Sequence, residues 1–137
     1  IGEYWYRQGD PSKAQTFLNL AIQHTQKYDS PSCVGFQASL ALIEAEEGKA
    51  ERALERLDEG EKILQKHPRE HAVFLLQKTR ILLLINRVSH AIRSLQRVNQ
   101  IAERLGIPIV SRIGRMLVDT RALVRAARDD EKSKTAD

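Results

Sequence analysis

Cysteine is nearly missing from this chain. Cys33 stands alone among 137 residues, so no internal disulfide can staple the fold, and a single thiol favours a reducing, cytoplasmic compartment. Aromatic residues make up only 5% of the chain, and six of the seven precede residue 37, leaving Phe74 alone in the remainder. That distribution removes the stacking platform that single-stranded nucleic acid requires from the C-terminal half. No run of about 18 apolar residues is present, so no membrane-crossing helix is expected and no membrane partner is assigned. The glycines do not gather into a phosphate-cradling loop, and Gly9 and Gly48 follow helical patterns instead of strands. His67 and His71 are four apart, but Pro68 places His67 at a helix cap and no third ligand completes a metal set. Glu46 and Glu47 are neighbours that point apart on a helix, with Glu44 nearby, and they make no paired-carboxylate site. Neither catalysis nor a cofactor or metal is therefore expected, and binding is the function class that remains.

What the chain does have is recurrence. Gly9-Asp10 followed by Ala14 and Ala21 returns as Gly48 with Ala53 and Gly60, then as Asn86 with Ala91 and Val98. The spacings, 39 residues from Gly9 to Gly48 and 38 from Gly48 to Asn86, suit stacked helical repeats whose units bury their apolar faces against one another. Small residues at Ala14, Ala21, Ala41, Ala53 and Gly60 let paired helices approach closely. Glycine, or Asn86 in its place, can take the left-handed conformation that stops a helix and reverses the chain.

Ile1-Gly2, Trp5, Gly9-Asp10, Ala14, Phe17-Leu18 and Ala21 resemble a tetratricopeptide repeat entered partway through its first helix, and Leu40-Ala41, Gly48, Ala53, Leu57 and Gly60 match in the same frame. In a third unit Leu75, Leu82, Ala91 and Leu95 fit, with Lys78-Thr79 and Asn86 departing from the pattern. The resemblance covers roughly residues 1–105, and its long period is similar to the solenoid arms of regulators like the maltose-regulon activator. It implies an all-α, right-handed superhelix of antiparallel helix pairs.

Punctuation predicts helices near 1–7, 11–28, 31–47, 50–66, 69–85, 88–105 and 108–128, with Asp10-Pro11, Ser30-Pro31 and His67-Pro68 as starts and Gly106-Ile107-Pro108 as a stop and restart. Units are expected at about 1–28, 31–66 and 69–105, closed by 108–128, within one domain spanning 1–128. Residues 129–137 read as a polar, disordered tail.

In the family, the first helix of each pair lines a concave groove. That frame assigns Ala38, Leu42, Ala45, Val73, Leu76 and Leu83 to an apolar floor, with Gln77 and Arg80 as polar handles for a protein or peptide. Helix 69–85 carries apolar residues on more than one arc, so something is expected to cover it. Clamps for a chaperone's terminal carboxylate need several cationic and amide donors along this groove; Arg80 alone does not make one. A rival reading is a ligand-sensing, self-associating arm of a transcription regulator responding to a small-molecule effector.

Charge is unevenly divided. Residues 1–66 hold 8 Lys/Arg and 11 Asp/Glu, net −3, while 67–137 hold 14 and 7, net +7, which together give the chain's +4. In the last helix, Ile109, Ile113, Met116, Leu117, Leu123, Val124 and Ala127 form an apolar arc, flanked by Arg112 and Arg115 on one side and Arg121, Arg125 and Arg128 on the other. The expectation is a closing helix with arginines at its margin. Nucleic-acid contact through these arginines is the alternative.

Overall fold

A computed structural model of the chain describes residues 9–25 and 31–135. Among these residues it is all-helical: α1 (Pro11–Thr25), α2 (Pro31–Glu46), α3 (Ala50–Leu64), α4 (Pro68–Leu84), α5 (Val88–Leu105) and α6 (Arg112–Thr135). Ile1-Gly2, Trp5 and the Ser30 cap lie outside the described residues.

The expected turns form by one device used three times. Gly48 (φ 92°), Asn86 (φ 58°) and Gly106 (φ 63°) all take the left-handed conformation. In each case the next residue's N–H reaches back five positions, Lys49 to the Glu44 carbonyl at 3.0 Å, Arg87 to Leu82 at 2.9 Å and Ile107 to Ala102 at 3.1 Å. This double-bonded C-terminal cap closes the orphan carbonyls of α2, α4 and α5. Asp10 caps α1, accepting the Lys13 N–H at 3.0 Å.

Each helix packs on the next, and α2 also packs on α4, and α4 on α6. Ala14, Ala53 and Ala91, the three small residues that open the repeated pattern, are all fully buried. Gly60 of α3 faces Val34 of α2 so closely that an added Cβ would sit 3.0 Å from Val34 Cγ1. One continuous core runs from Val34 in α2 to Val124 in α6, centred on Phe74, Leu75, Leu76 and Ile81 of α4. A smaller cluster of Ala14, Leu18, Leu40 and Ile43 joins α1 to α2. With α2, α3, α5 and α6 all against it, α4 has most of its apolar surface covered by the chain itself, Leu84 being left 52% exposed.

Two boundaries depart from expectation. The final helix begins at Arg112 and not at Pro108, because Ser111 caps it: the Ser111 hydroxyl accepts the Gly114 N–H at 3.0 Å and donates to the Pro108 carbonyl at 2.6 Å. Ile109, assigned by sequence to the apolar arc, instead sits in the preceding turn and is 70% exposed. At the other end the helix continues to Thr135 through residues expected to be a disordered tail, aided by a Lys134–Asp130 pair at 3.2 Å spaced one turn apart.

Candidate functional site

The proposed groove floor divides into two sets. Ala38, Ala45 and Leu76 are buried, at 0%, 4% and 0% exposure, in the core shared by α2 and α4, and half-buried Leu83 packs against that same core. These four are contacts between stacked helices, so their assignment as a binding floor is corrected. Of the remaining four, Leu42 and Gln77 are buried too, Leu42 in that same core, so they share the correction, while Val73 and Arg80 are half-buried; the four lie up to about a quarter turn away at 100° per residue.

Together with four residues the sequence reading missed, they define stripes of identical spacing. In α2 the stripe is Gly35, Ser39, Leu42 and Glu46; in α4 it is Val73, Gln77, Arg80 and Leu84. Both follow i, i+4, i+7, i+11, the ridge of one helix face, and they are offset by 38 residues. The same positions 39 residues further on are Arg112, Met116, Asp119 and Leu123 in α6. Helical recurrence at 38 to 39 residues was the signal that could have placed Glu46 and Leu84 on the stripe.

Two interactions tie the first stripe to the second. The Gln77 amide donates to Ser39 Oγ at 3.1 Å, and its carbonyl oxygen is buried with no hydrogen-bond donor. Burial raises the Glu46 carboxyl above the usual carboxylate range, and the positive charge of Arg80 opposes that rise. Arg80 is half-buried, its Nε has no acceptor, and it forms no ion pair among the described residues. Beside it Leu84 is 52% exposed and Val73 is half-buried. The stripe thus presents a guanidinium that forms no ion pair among the described residues, beside apolar neighbours, while the unfilled Gln77 carbonyl stays buried beneath it.

A second polar cluster has a structural arrangement. Glu61 of α3 receives Arg97 at 2.9 Å, His71 at 3.2 Å and Lys78 at 3.8 Å, binding α3, α4 and α5 to one carboxylate. Burial of Glu61 works to raise its pKa, but the His71 hydrogen bond, the Lys78 charge and Arg97 together outweigh it and hold the pKa below the usual range. His71 is therefore engaged with Glu61 and sits apart from His67 in role. No group of three or more metal-ligating side chains occurs among the described residues, and no helix there is long and apolar enough to cross a membrane. Cys33 is buried, with its thiol 4.0 Å from the Ile22 carbonyl.

Of the last helix's arginines, Arg121 is fixed to α5, donating to Asn99 Oδ1 through Nε at 3.1 Å and Nη2 at 2.6 Å. Arg115, Arg125 and Arg128 are exposed, as is Arg112. Ile113, Leu117 and Val124 of the expected arc are buried, Met116 and Ala127 half-buried, and Leu123 is 48% exposed on the stripe described above. A cleft of about 230 Å³ opens between α5 and α6, lined by Asn99, Ala102, Ile107, Leu117, Val118 and Arg121.

Compared with family models, with curated proteins and with solved structures, this chain matches nothing.

Proposed function

We propose that this chain is a tetratricopeptide-like superhelical stack of helix pairs, serving as a protein- or peptide-recognition arm through the stripe formed by α2 and α4. The observation that carries the reading is Arg80, a half-buried cation that acts on Glu46 through space but forms no ion pair among the described residues, on one stripe with exposed Leu84 and half-buried Val73. An unpaired guanidinium that has already lost part of its hydration gains more from an incoming acceptor than one in open water. Leu84 supplies apolar area beside it, the combination of anchor and polar handle by which grooves hold short segments. The twofold use of one stripe spacing supports the helix-pair stack, as does the contact of α2 with α4 and of α4 with α6.

The test is selection of a random displayed-peptide library on the native chain, with R80Q/L84S as the parallel target. Enriched peptides should pair an acidic residue with an apolar one and lose at least tenfold in affinity against the variant. Equal enrichment on both targets, or none on either, refutes the reading. Circular dichroism of the variant should match the parent, since both substituted positions reach the surface.

A further inference from the structure

The cleft of about 230 Å³ between α5 and α6 changes from polar to apolar along its length. Asn99 and Arg121 mark one end, where the Arg121 Nε and Nη2 both donate to Asn99 Oδ1 at 3.1 and 2.6 Å. The other end is closed by the turn after α5, whose backbone at 108–109 lies directly against Gly114. Between them, buried Ala102 and Leu117 form the floor, half-buried Ile107 stands at the closed end, and Val118, 43% exposed, forms one lip. Short side chains leave this space unfilled: Ala102 offers a single methyl, and a Cβ on Gly106 would meet nothing within 4 Å. Two charged groups line the cleft, Arg121 from α6 and Glu103 from α5, and neither forms an ion pair with a described residue. Glu103 lies one turn beyond Asn99 on the same side of α5, which sets a carboxylate next to the Arg121 end.

We propose that this cleft binds a small aliphatic α-amino acid as its zwitterion, with the carboxylate on Arg121, the ammonium at Glu103 and the side chain over Ala102, Leu117 and Ile107. The site is separate from the α2–α4 stripe and does not depend on that reading. A guanidinium carries its N–H donors in a rigid fork, and Asn99 occupies only the Nε side of it. The edge formed by Nη1 and Nη2 keeps its donors for a bidentate carboxylate, and the Asn99 bonds hold that edge in one orientation. Charge selects the zwitterion: a simple carboxylic acid would bring its anion near Glu103, and a simple amine its cation near Arg121, whereas an amino acid answers both groups and stays neutral. From Asn99 to Gly106 the cleft is about 10 Å long at the helical rise per residue, a length that takes leucine and little more. Its apolar lining is wholly aliphatic, and exposed Val118 leaves water when a branched side chain settles against it.

The experiment is titration of the nitrogen-15-labelled full chain with L-leucine, followed by amide chemical shifts. So small a ligand on an open cleft sets the expected Kd at roughly 1 mM. Shifts should concentrate at residues 99–107 and 114–121. Two analogues divide the charges: 4-methylpentanoate lacks the ammonium and 3-methylbutylamine lacks the carboxylate, and each should bind about tenfold or more weakly than leucine. Glycine, without the side chain, should bind more weakly still. Glu103→Gln and Arg121→Gln should each lose about tenfold in leucine affinity, the remaining amide spectrum reporting an intact fold, while Arg128→Gln, outside the cleft, should bind as the parent does. No saturable shift at leucine concentrations about tenfold above the expected Kd overturns the proposal, as do shifts centred on α2 and α4. Equal affinity for 4-methylpentanoate removes the role of Glu103 and with it the zwitterion. Equal affinity for N-acetyl-leucine would mean that the cleft takes the C-terminal residue of a partner chain, and overturns the assignment to a free amino acid.

Discussion

Gly114→Ala tests the packing of the final helix more sharply than any other single methyl group. A Cβ at this position would fall on the Pro108 carbonyl oxygen and lie 2.8 Å from both Cα and the carbonyl oxygen of Ile109. All three neighbours are backbone, so no rotamer change relieves the overlap and the 107–110 turn must move. That turn is held by the Ser111 hydroxyl and the Ser111 N–H, which both donate to the Pro108 carbonyl, at 2.6 and 3.1 Å. Displacing the carbonyl loses two hydrogen bonds of about 1 kcal/mol each. Residual overpacking adds roughly 1–2 kcal/mol, and helix propensity returns about 1 kcal/mol because alanine replaces glycine within a helix. The net expectation is a destabilisation of about 2–3 kcal/mol. Gly60→Ala supplies the contrast. Its new methyl meets Val34 Cγ1 at 3.0 Å, a side-chain atom that can yield, so propensity and crowding nearly cancel to within about 1 kcal/mol of the parent. Urea titrations followed by helical ellipticity at 222 nm give both values. A Gly114→Ala variant as stable as the parent would show that the close approach of the 108–109 backbone to α6 is wrong.

Other perturbations separate the remaining features. Leu76→Asp places a carboxylate at a site with 0% exposure and should abolish cooperative unfolding, whereas Leu84→Asp, at 52% exposure, should leave the urea midpoint nearly unchanged; similar outcomes for the two would contradict the quarter-turn division of α4. Glu61→Gln should cost about 1–2 kcal/mol near neutral pH, less than a fully buried pair because Glu61 is partly exposed. Since the folded-state pKa of Glu61 is depressed, its contribution is complete above the unfolded carboxylate value and is lost as pH falls through the lower folded one; the variant's stability should therefore decline less steeply in acid. Gly48→Ala should cost about 1 kcal/mol through its φ of 92°, while Asn86→Gly at the equivalent turn should be neutral or slightly stabilising, both read from chemical denaturation.

The features legible in the sequence were those fixed by backbone geometry. Gly48, Asn86 and Gly106 announce left-handed caps because few residues tolerate that conformation, and Asp10 announces a cap through its own carboxylate. Ala14, Ala53 and Ala91 stood out because a tight helix contact admits only small side chains, and all three are buried. The rotation of α4 was harder to read. Leu76 and Leu84 are both leucine, one at 0% and the other at 52% exposure, and side-chain type does not distinguish a helix–helix seam from an adjoining open stripe. Four neighbouring helices make most of α4 apolar and blur the periodicity that usually reports orientation. Pro108 misled for a related reason: proline fits a first helical turn, but Ser111 offered a side-chain cap that proline cannot supply.

The arginines of α5 and α6 show why charge is hard to place from the chain alone. Arg93, Arg97 and Arg104 share one ridge of α5, and Arg97 turns that ridge toward α3 by pairing with Glu61 at 2.9 Å. Asn99 lies on a different side of the same helix and meets α6 instead, accepting from Arg121 at 3.1 and 2.6 Å. Spacing along the sequence gives the ridge but not the neighbour it turns toward, because that depends on how α3 and α6 flank α5. The Arg121–Asn99 contact is a side-chain hydrogen-bonded tie between α5 and α6. Asn99→Leu removes both bonds and should lower stability by about 1 kcal/mol, since both side chains reach solvent. Urea titration followed at 222 nm reads the change, and a variant as stable as the parent would show that this contact does not hold α6 on α5.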